Sequence, residues 1–211
     1  MKRFAFVFAI VLIAFVSCKN RTHNYIVPVD HEKYYEGVTS LTEKENKELS
    51  QNIVMAWYNN TVNKEIPDIQ VKDLDGKSVK LKKLLKRETI LIYTEPYCGW
   101  GGEEVEKEFP ATIQTMKNEL EGIDILCLVG EFEDADPHDV TNYAKSLQSV
   151  YDKVYIIDQN EALRTNLTSS PTKFYIDKNQ IVRHIEMGFA FGGREENIRK
   201  GISLMKKEKQ Q

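Results

Sequence analysis

The sequence predicts an α/β fold in which a mixed β-sheet carries helices on both faces. From residue 89 onward, short apolar runs typical of buried strands alternate with stretches whose apolar residues recur at helical spacing. Near the end, two strand-like runs follow each other directly around Lys178 and Asn179. Alternating strands and helices are typical of parallel pairing, and an adjacent strand pair adds antiparallel pairing, so a mixed sheet is expected.

Residues 1–17 have the form of an export signal. Lys2 and Arg3 precede an apolar run at 4–16, which is too short for a membrane span of about 20 residues. Ser17 then precedes Cys18, and this arrangement resembles the lipobox of bacterial lipoproteins, in which the cysteine thiol takes a diacylglycerol. We expect a mature chain that begins at lipidated Cys18 and faces the periplasm from the bacterial cell envelope. An ordinary cleaved signal followed by a chance cysteine is the alternative.

Residues 18–65 are expected to form a tether and an N-terminal helical extension. Ser40 and Glu43 make a capping-box pattern that opens a predicted helix. The later turns of that helix have an apolar face, made of Leu49, Ile53, Ala56 and Trp57. The 211 residues suffice for one ordinary domain beside these segments, and we place that domain at 66–211.

The domain is expected to begin with an N-terminal β-hairpin extension. Its two short runs flank Asp75 and Gly76, and Asp-Gly is the strongest short-range hairpin signal. A buried strand is then predicted at "TILIYT", and another at "IDILCLVG". The helix between these strands has apolar residues at helical spacing, namely Val105, Phe109, Ile113, Met116 and Leu120. Pro110 lies inside this helix and is expected to kink it.

The second half of the domain continues the alternation and ends with a helix. Strands are predicted at "KVYIID", "TKFYID" and "IVRHIEM", with a short helix after the first of them. The remaining helices are recognised from apolar residues at helical spacing: Val140, Tyr143, Ala144, Leu147 and Val150 in one, and Ile198, Ile202 and Met205 in the other.

The charge balance argues against a nucleic-acid partner. The 29 basic and 32 acidic residues form no long block of one sign, and loss of Lys2 and Arg3 would change the formal net charge from −3 to −5. The four histidines are scattered without the spacing of metal ligands. No cofactor and no metal are expected.

The stretch "TEPYCGWGG" places Cys98 just after a predicted strand and just before a predicted helix. A thiol at a helix N-terminus faces unpaired backbone N–H groups and the positive end of the helix dipole, which favours the nucleophilic thiolate. Nearby carboxylates oppose this effect, because negative charge disfavours a thiolate. They belong to Glu95, Glu103, Glu104 and Glu106.

Three features in this order resemble one family: the Asp-Gly hairpin, "YTEPYCGWG" at a strand-to-helix junction, and "SSPTKFYIDKNQIV". They are similar to the thioredoxin fold of the TlpA-like, membrane-tethered extracytoplasmic thiol-disulfide oxidoreductases, over about residues 66–207. The resemblance implies that Cys98 is the catalytic cysteine and that Pro171 is the cis-proline of a loop lying against it. It also implies that Tyr97, Trp100, Ser170 and Pro171 bind the client.

The sequence departs from that family at Gly101, where the family has its second, resolving cysteine. A single thiol can form, exchange or hold a mixed disulfide, but an outside thiol must resolve it. The sequence therefore favours thiol-disulfide exchange through Cys98, with a client protein or small-molecule disulfide and an external reducing thiol as partners. The alternative is a non-catalytic module of the same fold that holds a peptide or protein in the cis-proline groove.

Cys127 lies in "IDILCLVG", where nearly all neighbours are apolar. It is therefore expected to be a small buried hydrophobic residue. The alternative is a position near Cys98, from which it could act as a distant resolving thiol.

Overall fold

The fold is described from a computed structural model, which covers residues 24–30, 32–96, 103–131, 135–167, 169–187 and 194–207. The predicted signal peptide and Cys18 lie outside these ranges. So do Tyr97, Cys98, Trp100 and Gly101. The predictions made for those residues stay predictions.

The described residues form a seven-stranded mixed sheet in the order β2-β1-β5-β4-β3-β6-β7. The strands are β1 (Gln70–Lys72), β2 (Ser78–Lys80), β3 (Thr89–Thr94), β4 (Asp124–Glu131), β5 (Val154–Asp158), β6 (Thr172–Ile176) and β7 (Val182–Met187). Strands β3, β4 and β5 are parallel, whereas β6 and β7 add antiparallel pairs on one side and β1 and β2 on the other. The predicted mixed sheet and the predicted hairpin around Asp75 and Gly76 are confirmed.

The helices cover both faces of the sheet, as predicted. They are α1 (Glu32–Tyr35), α2 (Glu43–Thr61), α3 (Leu81–Leu84), α4 (Phe109–Thr115), α5 (Pro137–Leu147), α6 (Gln159–Arg164) and α7 (Arg194–Lys206). Apolar residues of α4, α5 and α7 pack with Ile92 and Cys127 on one face. Residues of α3 and α6 pack with Leu91 and Tyr93 on the other face. Each strand of the centre is therefore buried on both sides, which explains its nearly continuous apolar run.

The helix after β3 is irregular where Pro110 was expected to disturb it. A π-helical turn, Glu104–Glu108, leads directly into α4, and Pro110 stands in the first turn of that α-helix. Proline has no N–H to donate, so it cannot continue the hydrogen-bond ladder of the preceding turn. Glu104 and Val105 belong to this turn, and both are buried.

The N-terminal extension packs on the domain. Ile26, Val29, Ile53 and Trp57 are buried, and Glu65, the last residue of the extension, forms an antiparallel bridge with Ile181 of the domain. Further contacts are made by the side chain of Asn166, which bonds to the backbone of Val27 and Val29 and to the hydroxyl of Thr61.

The N-cap of the extension's helix is Thr42, two residues after the predicted cap, Ser40. The capping box is made by Thr42 and Glu45, whose side chains each bond to the other residue's backbone N–H, so the assignment to Ser40 and Glu43 is wrong. Both pairs satisfy the same sequence pattern, and only the geometry of the chain distinguishes them. The predicted apolar face is confirmed at Ile53 and Trp57, which are buried.

Candidate active site

The candidate site lies where the end of β3 meets the loop before β6. The Glu95 backbone N–H donates a hydrogen bond to the Ser170 hydroxyl, with 3.1 Å between nitrogen and oxygen. The Ser170–Pro171 peptide bond is cis, and Pro171 is buried while Ser170 is half-buried. Because Glu95 precedes Cys98 by three residues, the structure brings the start of the cysteine motif to the Ser170–Pro171 loop. Tyr97, Cys98 and Trp100 lie outside the described residues.

The carboxyl group of Glu95 lies where the end of β3 meets the Ser170–Pro171 loop. The Tyr93 hydroxyl donates a hydrogen bond of 3.0 Å to Glu95. Partial burial raises the pKa of Glu95 above its usual value, and the bond from Tyr93 opposes that effect only in part. Burial, together with the charge of Glu95, raises the pKa of Tyr93 well above its ordinary range, so the phenol stays protonated and donates.

A buried ion pair connects the helix after the motif to the strand after Pro171. The Lys173 ammonium lies 2.5 Å from a carboxylate oxygen of Glu104, and the side chains are 2% and 0% exposed. The ammonium also lies 3.3 Å from Glu186 on β7 and 5.2 Å from the ring centre of Phe109. Removing one partner of such a buried pair leaves an uncompensated charge and typically costs about 3–5 kcal/mol.

The hydrogen-bond network continues away from Lys173. The Tyr175 hydroxyl donates a bond of 2.9 Å to Glu186, and burial raises the pKa of Tyr175 well above its ordinary value. The second carboxylate oxygen of Glu104, Oε2, is buried without a hydrogen-bond partner in the part of the chain described here. The same holds for Nδ1 of His184, whose pKa is lowered by burial and by the charge of Lys200. Lys173 is therefore the cation that compensates Glu104 in this network.

Cys127 is a buried core residue, as predicted. It is 0% exposed and packs against the apolar face formed by α4 and α5. Burial raises its pKa far above that of a free cysteine, which disfavours the thiolate needed for exchange. This environment tells against a role as a distant resolving thiol.

The described residues contain neither a metal-binding cluster nor a membrane-spanning helix. No cluster of three or more His, Cys, Asp or Glu side chains is placed there to hold a metal ion. Within the same ranges, no helix has both the length and the apolar character needed to cross a membrane.

Sequence reasoning missed the pair formed by Glu104 and Lys173. The sequence presents Glu104 only as one of several carboxylates near Cys98, and it predicts no role for Lys173. A signal existed, because Lys173 is the charged residue within the buried run "TKFYI" of β6. Lysine is almost never fully buried without a partner, so its presence there indicates a buried acidic residue. The sequence does not say which carboxylate that is.

Comparison with known proteins supports the fold. No family model matches the sequence, and no curated protein matches it either. Among solved structures, the chain is similar to the thioredoxin domain of a thiol-disulfide oxidoreductase from Bacteroides vulgatus, with a TM-score of 0.51, 15% identity, and coverage of 67% of this chain and 98% of that one.

Two further structures give the same result. A thiol:disulfide interchange protein from Bacteroides sp. matches with a TM-score of 0.51, 16% identity and coverage of 70% and 93%. A protein from Aquifex aeolicus matches with a TM-score of 0.53, 12% identity and coverage of 70% and 100%. At such identities a likeness establishes the fold alone. The chain has a thioredoxin-like fold, with its mixed sheet between two layers of helices.

Proposed function

We propose that this protein carries out thiol-disulfide exchange outside the cytoplasm, through the single thiol of Cys98. The observation that carries the proposal is the contact between Glu95 and Ser170, which joins the start of the cysteine motif to the loop at Pro171. That contact fits the resemblance, in which a cysteine at the strand-to-helix junction lies against a cis-proline loop. Tyr97 and Trp100 complete the proposed client-binding set with Ser170 and Pro171.

The proposed chemistry needs no cofactor. The Cys98 thiolate attacks one sulfur of a client disulfide, a new bond forms between Cys98 and that sulfur, and the other client sulfur leaves as a thiolate. Because Gly101 occupies the place of a second cysteine, the mixed disulfide persists until an external thiol attacks it. The external thiolate attacks the client sulfur and expels Cys98 as a thiolate, which leaves a mixed disulfide between the client and the external thiol. A second external thiolate then attacks that disulfide, releases the client as a thiol and forms the disulfide of the reductant.

The proposed location is the bacterial cell envelope, with the chain tethered through a lipid on Cys18. Support comes from the sequence pattern of residues 1–18. Mass spectrometry of the mature protein should find a diacylglycerol-modified Cys18 at the N-terminus, and Cys18→Ala should prevent that processing. An unmodified Cys18 inside a water-soluble mature chain would replace the anchor with an ordinary cleaved signal.

The missing second cysteine provides the test of the proposed chemistry. Gly101→Cys should give a pair that closes and reopens, and it should catalyse reduction of a protein disulfide by an added reductant. The parent protein should do this slowly and should accumulate mixed disulfides through Cys98. Cys98→Ser, which keeps a residue suited to a helix N-terminus, should abolish both behaviours.

The controls of this test separate a folding failure from a functional one. Circular dichroism must first show that the Gly101→Cys variant folds, because glycine can adopt backbone angles that a side chain cannot. A variant that folds and forms its disulfide, yet neither reduces the substrate nor traps a client, would refute the exchange function. The non-catalytic binding module, which uses the groove at Pro171 to hold a peptide, would then be the better interpretation.

A further inference from the structure

Most of the exposed large apolar side chains among the described residues belong to the N-terminal extension. Of the ten such residues, eight lie between Tyr25 and Tyr58, and the other two are Val150 and Leu163. Scattered exposed apolar residues are normal on a soluble domain, whereas a concentration of them marks a surface that contacts another molecule. The extension therefore carries the surface best suited to such a contact.

Helix α2 of the extension has two different sides. The side that packs on the domain includes Ile53, Trp57 and Thr61, which are buried. On the opposite side, exposed residues recur every three or four positions and form one stripe along the helix. This outer stripe consists of Lys44, Lys47, Gln51, Val54, Met55 and Tyr58. Its C-terminal half is apolar, and Met55 in that half is 56% exposed.

The described chain starts beside the apolar half of the outer stripe. The Val27 N–H donates a hydrogen bond of 3.1 Å to the carbonyl of Asn60, which is two residues after Tyr58. Cys18 lies outside the described residues, but it is only six residues before Asn24, and six residues span at most about 20 Å. A lipid on Cys18 would therefore keep the apolar half of the stripe close to the membrane surface.

We propose that the outer stripe of α2 docks on the surface of the phospholipid bilayer to which the chain is tethered, an inference that rests on the proposed lipid anchor at Cys18. Its three apolar residues enter the boundary between headgroups and acyl chains, and its two lysines reach the lipid phosphates. Helices that lie in this boundary bury an apolar face by about 5–10 Å and carry lysine beside it. Tyrosine is enriched at the same depth, because its ring is apolar and its hydroxyl is polar.

The charges of the extension favour this side of α2 over its other sides. The outer stripe has two lysines and no acidic residue, whereas residues 24–61 as a whole have three lysines and six acidic residues. The acidic residues are Asp30, Glu32, Glu36, Glu43, Glu45 and Glu48. Lipid phosphates attract lysine and repel carboxylates, so any other orientation would bring carboxylates to the phosphates. The tether also makes docking an intramolecular event, which favours the bilayer over a partner that binds from solution.

The experiment measures quenching of tryptophan emission by brominated lipid. The full, lipid-anchored chain is reconstituted in phosphatidylcholine vesicles, with or without bromine on the acyl chains. Bromine quenches only a tryptophan that comes into contact with the acyl region. Met55→Trp places a reporter in the outer stripe, and the emission of the parent protein gives the contribution of Trp57 and Trp100. The added emission of Met55→Trp should be lost largely when brominated lipid replaces plain lipid.

Val150→Trp is the matched control. Val150 is also an exposed apolar residue, but it follows α5, which packs on the face of the sheet opposite to the one that Ile26 of the extension contacts. Its added emission should be the same in plain and brominated lipid. Val54→Glu together with Tyr58→Glu, introduced beside Met55→Trp, should reduce the quenching to the level of Val150→Trp, because carboxylates remain in water.

A second pair of substitutions tests the other half of the stripe. Both lysines are exposed, so Lys44→Glu with Lys47→Glu should leave the urea midpoint of unfolding unchanged. Beside Met55→Trp, this pair should also lower the quenching, because it replaces two attractive charges by repulsive ones. It provides the test if the glutamates at Val54 and Tyr58 prevent folding.

The outcomes distinguish this inference from the anchor on which it rests. Quenching of Met55→Trp no greater than that of Val150→Trp, in a lipidated chain bound to vesicles, would overturn the inference. So would quenching that neither pair of glutamates reduces. A reporter shielded from aqueous acrylamide but not quenched by brominated lipid would also overturn it, and would indicate that a second copy or another protein covers the stripe. Failure of the anchor shows separately, as a chain without lipid on Cys18 that does not float with the vesicles, and the inference then fails with it.

Discussion

Replacing Asn166 should weaken the attachment of the N-terminal extension to the domain. The Asn166 side chain accepts a hydrogen bond of 2.9 Å from the Val29 N–H and donates bonds of 3.0 Å to the Val27 carbonyl and 2.9 Å to the Thr61 hydroxyl. Asn166 is 1% exposed, and its φ of 58° lies in the left-handed region. Glycine is the informative substitution, because it tolerates that backbone angle and removes only the side chain.

The magnitude follows from the bonds that are lost. A typical hydrogen bond contributes about 1 kcal/mol to stability, so Asn166→Gly should lower the free energy of unfolding by about 3 kcal/mol. Asn63 provides a matched control, since it also has a left-handed φ, of 60°, but is exposed and accepts a single bond, from Arg183. Asn63→Gly should cost well under 1 kcal/mol.

Two assays check this prediction. Urea unfolding gives the two free energies, and limited proteolysis shows whether cleavage within residues 24–61 becomes faster in Asn166→Gly than in Asn63→Gly. The reasoning is refuted if the two variants unfold within about 0.5 kcal/mol of each other and are cleaved alike. In that case the buried apolar residues hold the extension, and the hydrogen bonds of the Asn166 side chain do not contribute to its attachment.

Three further predictions concern the core and the acid sensitivity of the fold. Cys127→Ser should cost about 1–3 kcal/mol in urea unfolding, because a hydroxyl would be buried without an assured partner; a loss no larger than that of Cys98→Ser would contradict the burial. Gly201→Ala should lower stability by about 1–3 kcal/mol despite the better helix propensity of alanine, since a Cβ there would overlap the ring of Tyr175, which is fixed by its bond to Glu186. Burial alone would raise the pKa of Asp124, but the bonds from Lys153 and Arg87 outweigh it and hold the pKa below its usual value. The stability that Asp124 contributes is thus present above about pH 4 and is lost as pH falls through the lowered value, so thermal unfolding of Asp124→Asn should depend less on pH between 7 and 3 than that of the parent.

The sheet could be predicted from the sequence because its central strands are buried on both faces. "TILIYT" and "IDILCLVG" are nearly continuous apolar runs. A short run of this kind between helical patterns is typical of a strand that is buried on both faces. The start of α2 could not be fixed in the same way. Ser40 with Glu43 and Thr42 with Glu45 both satisfy the capping-box pattern, and the pattern alone does not choose between them.

For the charges around the site, the sequence predicts only the direction in which they shift the pKa of Cys98. The sequence shows four glutamates near Cys98, and it predicts that they oppose the thiolate. It does not show that Glu104 turns inward through a π-helical turn and meets Lys173, which is 69 residues away along the chain. Long-range pairing of this kind depends on the register of β6 against β3, where Lys173 lies opposite Ile92.

For a protein with one exchanging thiol, the ionisation of that thiol affects both halves of the proposed reaction. In the first half, Cys98 attacks as a thiolate, so stabilising the thiolate increases the fraction that can react. In the second half, an external thiol must expel Cys98 from the mixed disulfide, and a thiol of lower pKa leaves faster. A dithiol protein uses its second cysteine for that step, whereas this chain has Gly101 at the corresponding position. A lower pKa of the Cys98 thiol would therefore favour both the capture of a client and the release of Cys98 by the external thiol.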